Sequence, residues 1–387
     1  MTDATQLRTS PPRDPRADIC RGLALWMIMV NHTPGNAVGD WTLRNFALAD
    51  ATEAFVLLAG YAAAFAYAGK ADRQGWLPAA ASVAQRVGKL YVAHIFLLVV
   101  FAAQVGFSAA ALDRAAFLDE LALDPFAEQP YRALLEALLL RFQPHFLDIL
   151  PLYIVILALF IPALLLRGWP WLLLGLSVTL WVGARAAGYN LPRWEEGTWF
   201  FNPLAWQLLF FIGFMLGQSV RGAPTVGLPP RSPWLTAAAL LVLGASLVAM
   251  VGYNHFYNHL PFWVAEWLSR VDKQSLHPWR LASVLALAYL IGHFVARDGA
   301  LVRSRLARPF RRMGQHSLPV FCVGILLSFL ARLAIEAWDG WEVQLVVNIA
   351  CFMALLGVAV VSEWSRSVER APRPATPPPL PAGIEKA

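Results

Sequence analysis

About ten stretches of roughly 20 mostly apolar residues run through this chain, each long enough to cross the hydrocarbon of a bilayer. A water-soluble fold has no place for so many, because its surface helices keep a polar face. The stretches lie at about 20–37, 45–68, 84–107, 149–166, 171–187, 203–220, 235–252, 280–296, 317–336 and 342–362. They predict an all-α, polytopic integral membrane protein with about ten transmembrane helices. Composition agrees, with 58% of 387 residues hydrophobic and 14% charged. Trp263, Trp267, Trp279, Trp338, Trp341 and Trp364 fall near stretch ends, where indoles favour the interface. A cytosolic enzyme is nearly excluded. Between the fourth and fifth stretches only Arg167, Gly168, Trp169 and Pro170 intervene, which suits a tight helical hairpin or a re-entrant feature.

Sidedness follows from the basic residues, which are in excess on the cytoplasmic side. With the N-terminus inside, inner segments hold 21 of the 31 Lys and Arg but 8 of the 25 Asp and Glu. The inner face then carries about +13 and the outer about −7, consistent with the net +6. Both termini are therefore expected in the cytoplasm. The net positive charge belongs to topology and is no argument for nucleic acid. Residues 1–18 read as a cytoplasmic segment with no removable signal peptide, 19–365 as the transmembrane domain, and 366–387 as a disordered, Pro-rich cytoplasmic tail. Outer loops 108–148 and 253–279 exceed plain turns, and Tyr131–Phe142 has the pattern of an amphipathic interfacial helix. No internal repeat is visible, which counts mildly against transporter folds. Cys20, Cys322 and Cys351 have no CxxC spacing, so a disulfide framework is not expected.

Polar groups within apolar stretches are costly and mark candidate sites. Arg21 and His32 are eleven residues apart in the first stretch, about 16 Å along a helix and almost on one face, so both can look into one cavity. His32 also fits a neutral imidazole bridging two helices, and Arg21 a topology signal. Asp50 and Glu53 share a helical face at the outer start of the second stretch, where they can share a proton or hold a cation. Helix capping is the plain alternative, and it explains Asp50 better than Glu53. Further polar clusters are His145 and Asp148 in FQPHFLDILPLY, Asn202 and Gln207 in FNPLAWQ, and Asp272, Lys273, His277 and Arg280 in DKQSLHPWR. Each alone is what a polar loop would carry. Together they place nearly all the unusual polar chemistry on the outer half. On the inner side, Arg86, Lys89 and the run RDGALVRSRLARPFRRMGQHS, with Arg308, Arg311, Arg312 and His316, read either as topology plus attraction to anionic lipid or as a dock for a large anionic thioester.

The segments DPRADICRGLALWMIMVNHTPGN, DATEAFVLLAGYAAA, LYVAH, FLDILPLYIVIL, FNPLAWQLLFFIGF, DKQSLHPWRL and GQHSLPVFCVGILLSF, in this order from Asp14 to about Phe329, resemble the OpgC-type acyltransferases. Those enzymes succinylate osmoregulated periplasmic glucans and are related to the family 3 membrane acyltransferases. The resemblance implies a bacterial inner-membrane enzyme that takes an acyl group from a cytoplasmic donor, succinyl-coenzyme A above all, to a sugar hydroxyl outside. It matches Arg21 and His32 to the family's arginine and histidine, His32 being catalytic, and Asp50 and Glu53 to its acidic pair. Ala59 departs from the serine expected before Gly60 and Tyr61.

The chemistry needs a positioned base and an oxyanion stabiliser. His32 suits the base near neutral pH, with Glu53 or Asp50 holding its ring. Asn31, Asn36, Asn202 or Gln207 can donate to the oxyanion. Arg21, His145, Asp148, Asp272, Lys273 and His277 complete the expected substrate-binding set. The residues expected to bind donor are Arg86, Lys89, Arg308, Arg311, Arg312 and His316. No metal is required and no bound cofactor is expected, acyl-coenzyme A being a co-substrate. Two other classes remain open: a transporter of a polar solute or glucan, which would move substrate unmodified, and a non-catalytic subunit of a glucan export complex. Acyl identity, the exact acceptor, an acyl-histidine intermediate and the oligomeric state are not readable from the chain.

Overall fold

The computed structural model describes residues 14–370 except 195, 224 and 339. Residues 1–13 of the expected N-terminal segment and 371–387 of the expected tail lie outside the described residues. The long helices are α1 Pro15–Asn31, α2 Ala51–Gln74, α3 Trp76–Ala111, α5 Ile149–Gly168, α6 Pro170–Ala186, α7 Pro203–Val220, α8 Pro233–His255, α9 Pro278–Phe294, α11 Ser317–Ala337 and α12 Trp341–Arg370, with shorter α4 Pro130–Leu138 and α10 Ala307–Gln315. Each of the ten apolar stretches is thus met by a helix. Seven, namely α2, α3, α5, α7, α8, α11 and α12, are long and apolar enough to cross a membrane. The other three, α1, α6 and α9, are 17 residues each. Among the described residues the only β-pairing is an isolated bridge between Pro192 and Thr198.

Helix ends follow local chemistry and correct several expected boundaries. Asp14 accepts from Arg16 N and Pro15 occupies the first helical position, so α1 starts before Cys20. It ends at Asn31, with the His32 N–H bonded to the Ile28 and Met29 carbonyls, so His32 caps the helix rather than lying inside it. The second helix begins at Ala51, because residues 43–45 form a separate tight turn and Asp50 is the cap. α12 continues through Arg370, into what reads as tail. The amphipathic run forms α4, which buries Ala133 and Ala137 and exposes Tyr131 and Leu135.

The core lies among α1, α2, α3, α5, α7 and α11. Lipid tails supply no hydrophobic drive for helices to associate, so close backbone approach matters. At the α2–α7 crossing a Cβ on Gly60 would fall 1.9 Å from the Phe210 carbonyl oxygen, and at the α1–α10 crossing one on Gly22 would fall 1.8 Å from that of Phe310. These crossings lock α2 onto α7 and α1 onto α10, and α1 and α2 also pack directly against each other. By contrast α8 and α12 show apolar side chains outward, among them Leu241, Val248, Val346 and Ile349.

Candidate active site

Two cavities lie one beyond the other along α1. The outer one, about 340 Å³, is lined by Asn31 and His32 from the end of α1, Arg44 from the following turn, Asp50 and Thr52 at the start of α2, Gln143 to Phe146 and Asp148 before α5, Arg193, Phe200 and Phe201 before α7, and Lys273 before α9. The inner one, about 140 Å³, is lined by Arg21, Phe55, Ala59, Ala62, Arg86, Leu90, Leu150, Tyr153, Ser317 and Leu318. Ile149 and Phe321 line both. Arg21 and His32 therefore share a helix face but not one cavity, which corrects the simpler expectation. Two apolar side chains stand between the chambers.

His32 Nδ1 lies 2.7 Å from the Ile28 carbonyl oxygen. A carbonyl only accepts, so Nδ1 carries the proton, and the neutral ring keeps Nε2 as a free acceptor. The ring meets Phe146 edge-on at 4.5 Å between centroids. Asp50 lines the same cavity, but among the described residues no hydrogen bond joins His32 to Asp50 or Glu53. Asp50 and Glu53 instead form a reciprocal capping box: Asp50 accepts from Thr52 N, and Glu53 accepts from Asp50 N. Glu53, fully buried, also accepts from Arg280 Nε at 2.7 Å, and Asp50 accepts from Lys273 Nζ at 2.5 Å. Capping and ion pairing thus explain both residues, Glu53 included. The Ile28 carbonyl, four residues back, orients the His32 ring and fixes its tautomer.

The four amide candidates separate. Asn36 exchanges two hydrogen bonds with Asn348, tying the turn after α1 to α12. Asn202 caps α7 and donates to the Tyr189 carbonyl. Gln207 is bonded to Ser177 through both ends of its amide. None of the three lines the outer cavity. Asn31 does, and its Oδ1 accepts from Thr42 Oγ1, which leaves Nδ2 as donor.

His145 and Asp148 line the outer cavity as expected, His145 with Nδ1 donating to the Glu120 carbonyl. The segment from Asp272 to His277 contributes Lys273 alone. Asp272 instead organises that segment. Burial works against its charge, but hydrogen bonds from Ser275 and the guanidinium of Arg185 outweigh it and hold the carboxyl below the usual carboxylate range. His277 Nδ1 accepts from Trp279 N at the start of α9. Trp206 donates to the Lys273 and Gln274 carbonyls, fixing Lys273 from below.

Of the expected donor-binding residues, only Arg86 lines the inner cavity. Lys89, Arg308 and Arg312 are exposed, Arg311 is half-buried and His316 is buried, none of them on its wall. Arg312 pairs with Glu363 at 3.4 Å. Arg21 donates to the Leu58 and Gly314 carbonyls and pairs with Asp18, bracing α1 against α2 and α10. Ala59 lines this same chamber. The sequence reading missed Arg44, Gln143, Phe146 and Arg193 in the outer cavity, and no motif or spacing would have singled them out. Among the described residues no cluster of three or more His, Cys, Asp or Glu is placed to hold a metal ion.

A helical membrane protein with a chamber that holds a tautomer-fixed histidine and a neighbouring amide donor has the parts of a hydroxyl-activating transferase. Residues 13–367, nearly the whole chain, match the family described as OpgC protein. The chain belongs to the OpgC family, and that membership points to an acyltransferase acting on periplasmic glucans. Neither the curated proteins nor the solved structures contain a match.

Proposed function

We propose that the protein is a multi-pass enzyme of the bacterial inner membrane, with ten spans and both termini cytoplasmic, that carries a succinyl group from cytoplasmic succinyl-coenzyme A to hydroxyls of periplasmic glucans. The observation that carries this reading is the His32 ring, whose Nδ1 is engaged by Ile28 while Nε2 is left for a substrate proton. In the reaction Nε2 takes the hydroxyl proton as the sugar oxygen attacks the thioester carbonyl. Asn31 Nδ2 donates to the oxyanion. Collapse expels the thiolate, which takes the proton from the imidazolium and leaves as the free thiol.

The donor arm reaches His32 through the inner chamber, past Arg86 and Arg21, when Ile149 and Phe321 part. The coenzyme's phosphates stay at the basic inner face, where Arg308, Arg311 and Arg312 add positive potential and Lys89 and His316 lie nearby. Two short chambers closed by one apolar layer suit a passage that admits a thioester arm without an open leak.

The test uses sealed inside-out vesicles, with succinyl-coenzyme A supplied outside and glucan enclosed, and mass spectrometry of the glucan. Wild type should esterify it, and His32→Gln at normal abundance should not. Export or uptake of unmodified glucan by wild type would favour a transporter. Activity in His32→Gln above a tenth of wild type would remove His32 as the base, and activity only with donor and acceptor on the same face would remove the transmembrane route.

A further inference from the structure

We infer that Arg44 and Arg193 form a carboxylate-binding site in the outer cavity, holding the free carboxylate at the far end of a dicarboxylic acyl group while its thioester carbon sits at His32. This assignment rests on the acyl-transfer reading and adds to it the residues that select the acyl group.

The starting point is charge. Three permanent cations line the outer cavity, Arg44, Arg193 and Lys273, against two carboxylates, Asp50 and Asp148. Lys273 and Asp50 satisfy one another at 2.5 Å, and Asp50 has a second cation in Arg280 at 3.7 Å. That leaves two guanidinium groups and at most one carboxylate, Asp148. The Arg44 side chain makes a single long hydrogen bond, 3.4 Å to the Asn31 carbonyl. Among the described residues Arg193 makes no side-chain hydrogen bond and no ion pair, although its main chain is anchored on the Gly197 carbonyl. Arg185, Arg280 and Arg332 each pair with a carboxylate, whereas Arg193 is half-buried without one and Arg44 stands at the exposed rim of the chamber. A chamber with surplus positive charge on a face that is acidic by sequence calls for an anionic guest.

Geometry narrows the guest. The thioester arrives from the inner chamber, so the acyl chain beyond its carbonyl has to project into the outer one, past His32. Arg44 follows the end of α1 that carries His32, and Arg193 reaches the same chamber from the loop before α7. A chain with two methylenes and a terminal carboxylate places its charge between the reacting carbon and these loops. Guanidinium is the side chain best matched to a carboxylate, because its fork donates two parallel hydrogen bonds. An acyl group ending in methyl would give neither guanidinium a partner, leaving Asp148 and solvent as their only counterparts. An anionic substituent on the glucan is the other source of the same chemistry, and the experiment separates the two.

The full-length protein in detergent is assayed for kcat/KM with succinyl-coenzyme A and with butyryl-coenzyme A, donors of equal chain length that differ in carboxylate against methyl, each with neutral glucan and with glucan bearing anionic substituents. Wild type should prefer succinyl. Arg193→Gln, and more strongly Arg44→Gln with Arg193→Gln, should shrink the succinyl-to-butyryl ratio about tenfold or more, whichever acceptor is used. Arg193→Lys should keep part of the preference, which a merely structural role would not produce. An unchanged donor ratio in the double variant overturns the assignment. So does a variant that loses discrimination between neutral and anionic glucan instead of between donors. Wild type that transfers neither acyl group would defeat the acyl-transfer reading itself, whereas transfer with an unaltered ratio would defeat this site alone.

Discussion

Replacing Glu53 by Gln is expected to cost stability before it costs chemistry. The Glu53 side chain is wholly buried, Arg280 is 13% exposed, and they meet at 2.7 Å. Removing one charge of such a pair strands the other in low dielectric, which costs about 3–5 kcal/mol. Two features reduce the loss. Asp50 Oδ2 remains 3.7 Å from Arg280 Nη2, and a glutamine oxygen can still accept from the Asp50 N–H as Glu53 does now. The expected cost is therefore at the lower end, about 3 kcal/mol, or roughly a hundredfold in the unfolding equilibrium. Equilibrium unfolding in mixed micelles reads the stability, and glucan acylation per folded molecule reads the chemistry. Glu53→Gln should unfold at lower denaturant and keep turnover within about tenfold of wild type. Glu53→Leu combined with Arg280→Met should recover part of the stability, since apolar replacement of both partners removes the stranded charge. Wild-type stability in Glu53→Gln together with abolished turnover would refute this reasoning and return Glu53 to the reacting groups.

Asn31→Ala should lower kcat about 10²- to 10³-fold if its amide stabilises the oxyanion, while Asn36→Ala should lower thermal stability and leave kcat per folded molecule nearly intact. Equal loss of kcat in both would remove the distinction between them. Gly60→Ala should sharply reduce folded protein in the membrane, because the new Cβ would fall 1.9 Å from the Phe210 carbonyl oxygen. Gly106→Ala, with nothing within 4 Å, is the matched control, and similar yields of the two would show that the α2–α7 crossing can relax. Arg86→Glu should raise the apparent donor KM more than Arg312→Glu does and leave the acceptor KM unmoved, since Arg86 lines the inner chamber and Arg312 pairs with Glu363 at the surface. A larger effect from Arg312 would put the donor's phosphates on the rim.

The helices were legible because length and hydropathy are local properties, and some of their starts were legible too. Asn202–Pro203, Ser232–Pro233 and His277–Pro278 each set a residue before a proline at the first helical position, and these three starts lie within two residues of the expected ones, whereas Asp14–Pro15 carries the same signal and the first stretch is placed from about 20. Side-chain partners were not legible. Asp50-x-x-Glu53 is equally a capping box and an acidic pair, and only Arg280, 227 residues from Glu53, reveals what the second carboxylate does. The Asn36–Asn348 pair, 312 residues apart, is hidden for the same reason. Searching apolar stretches for polar residues finds costly groups, but it treats a group that ties two helices together and a group that faces substrate alike, because both are costly until partnered. The opposite omission matters more for the route of the acyl group. Ile149 and Phe321 are ordinary apolar residues in apolar helices, so no scan for unusual chemistry selects them, yet they are the wall common to the His32 chamber and the Arg21 chamber. A base and a basic inner face are readable from residue types, whereas the layer that decides whether they communicate is made of residues whose type carries no information about their place.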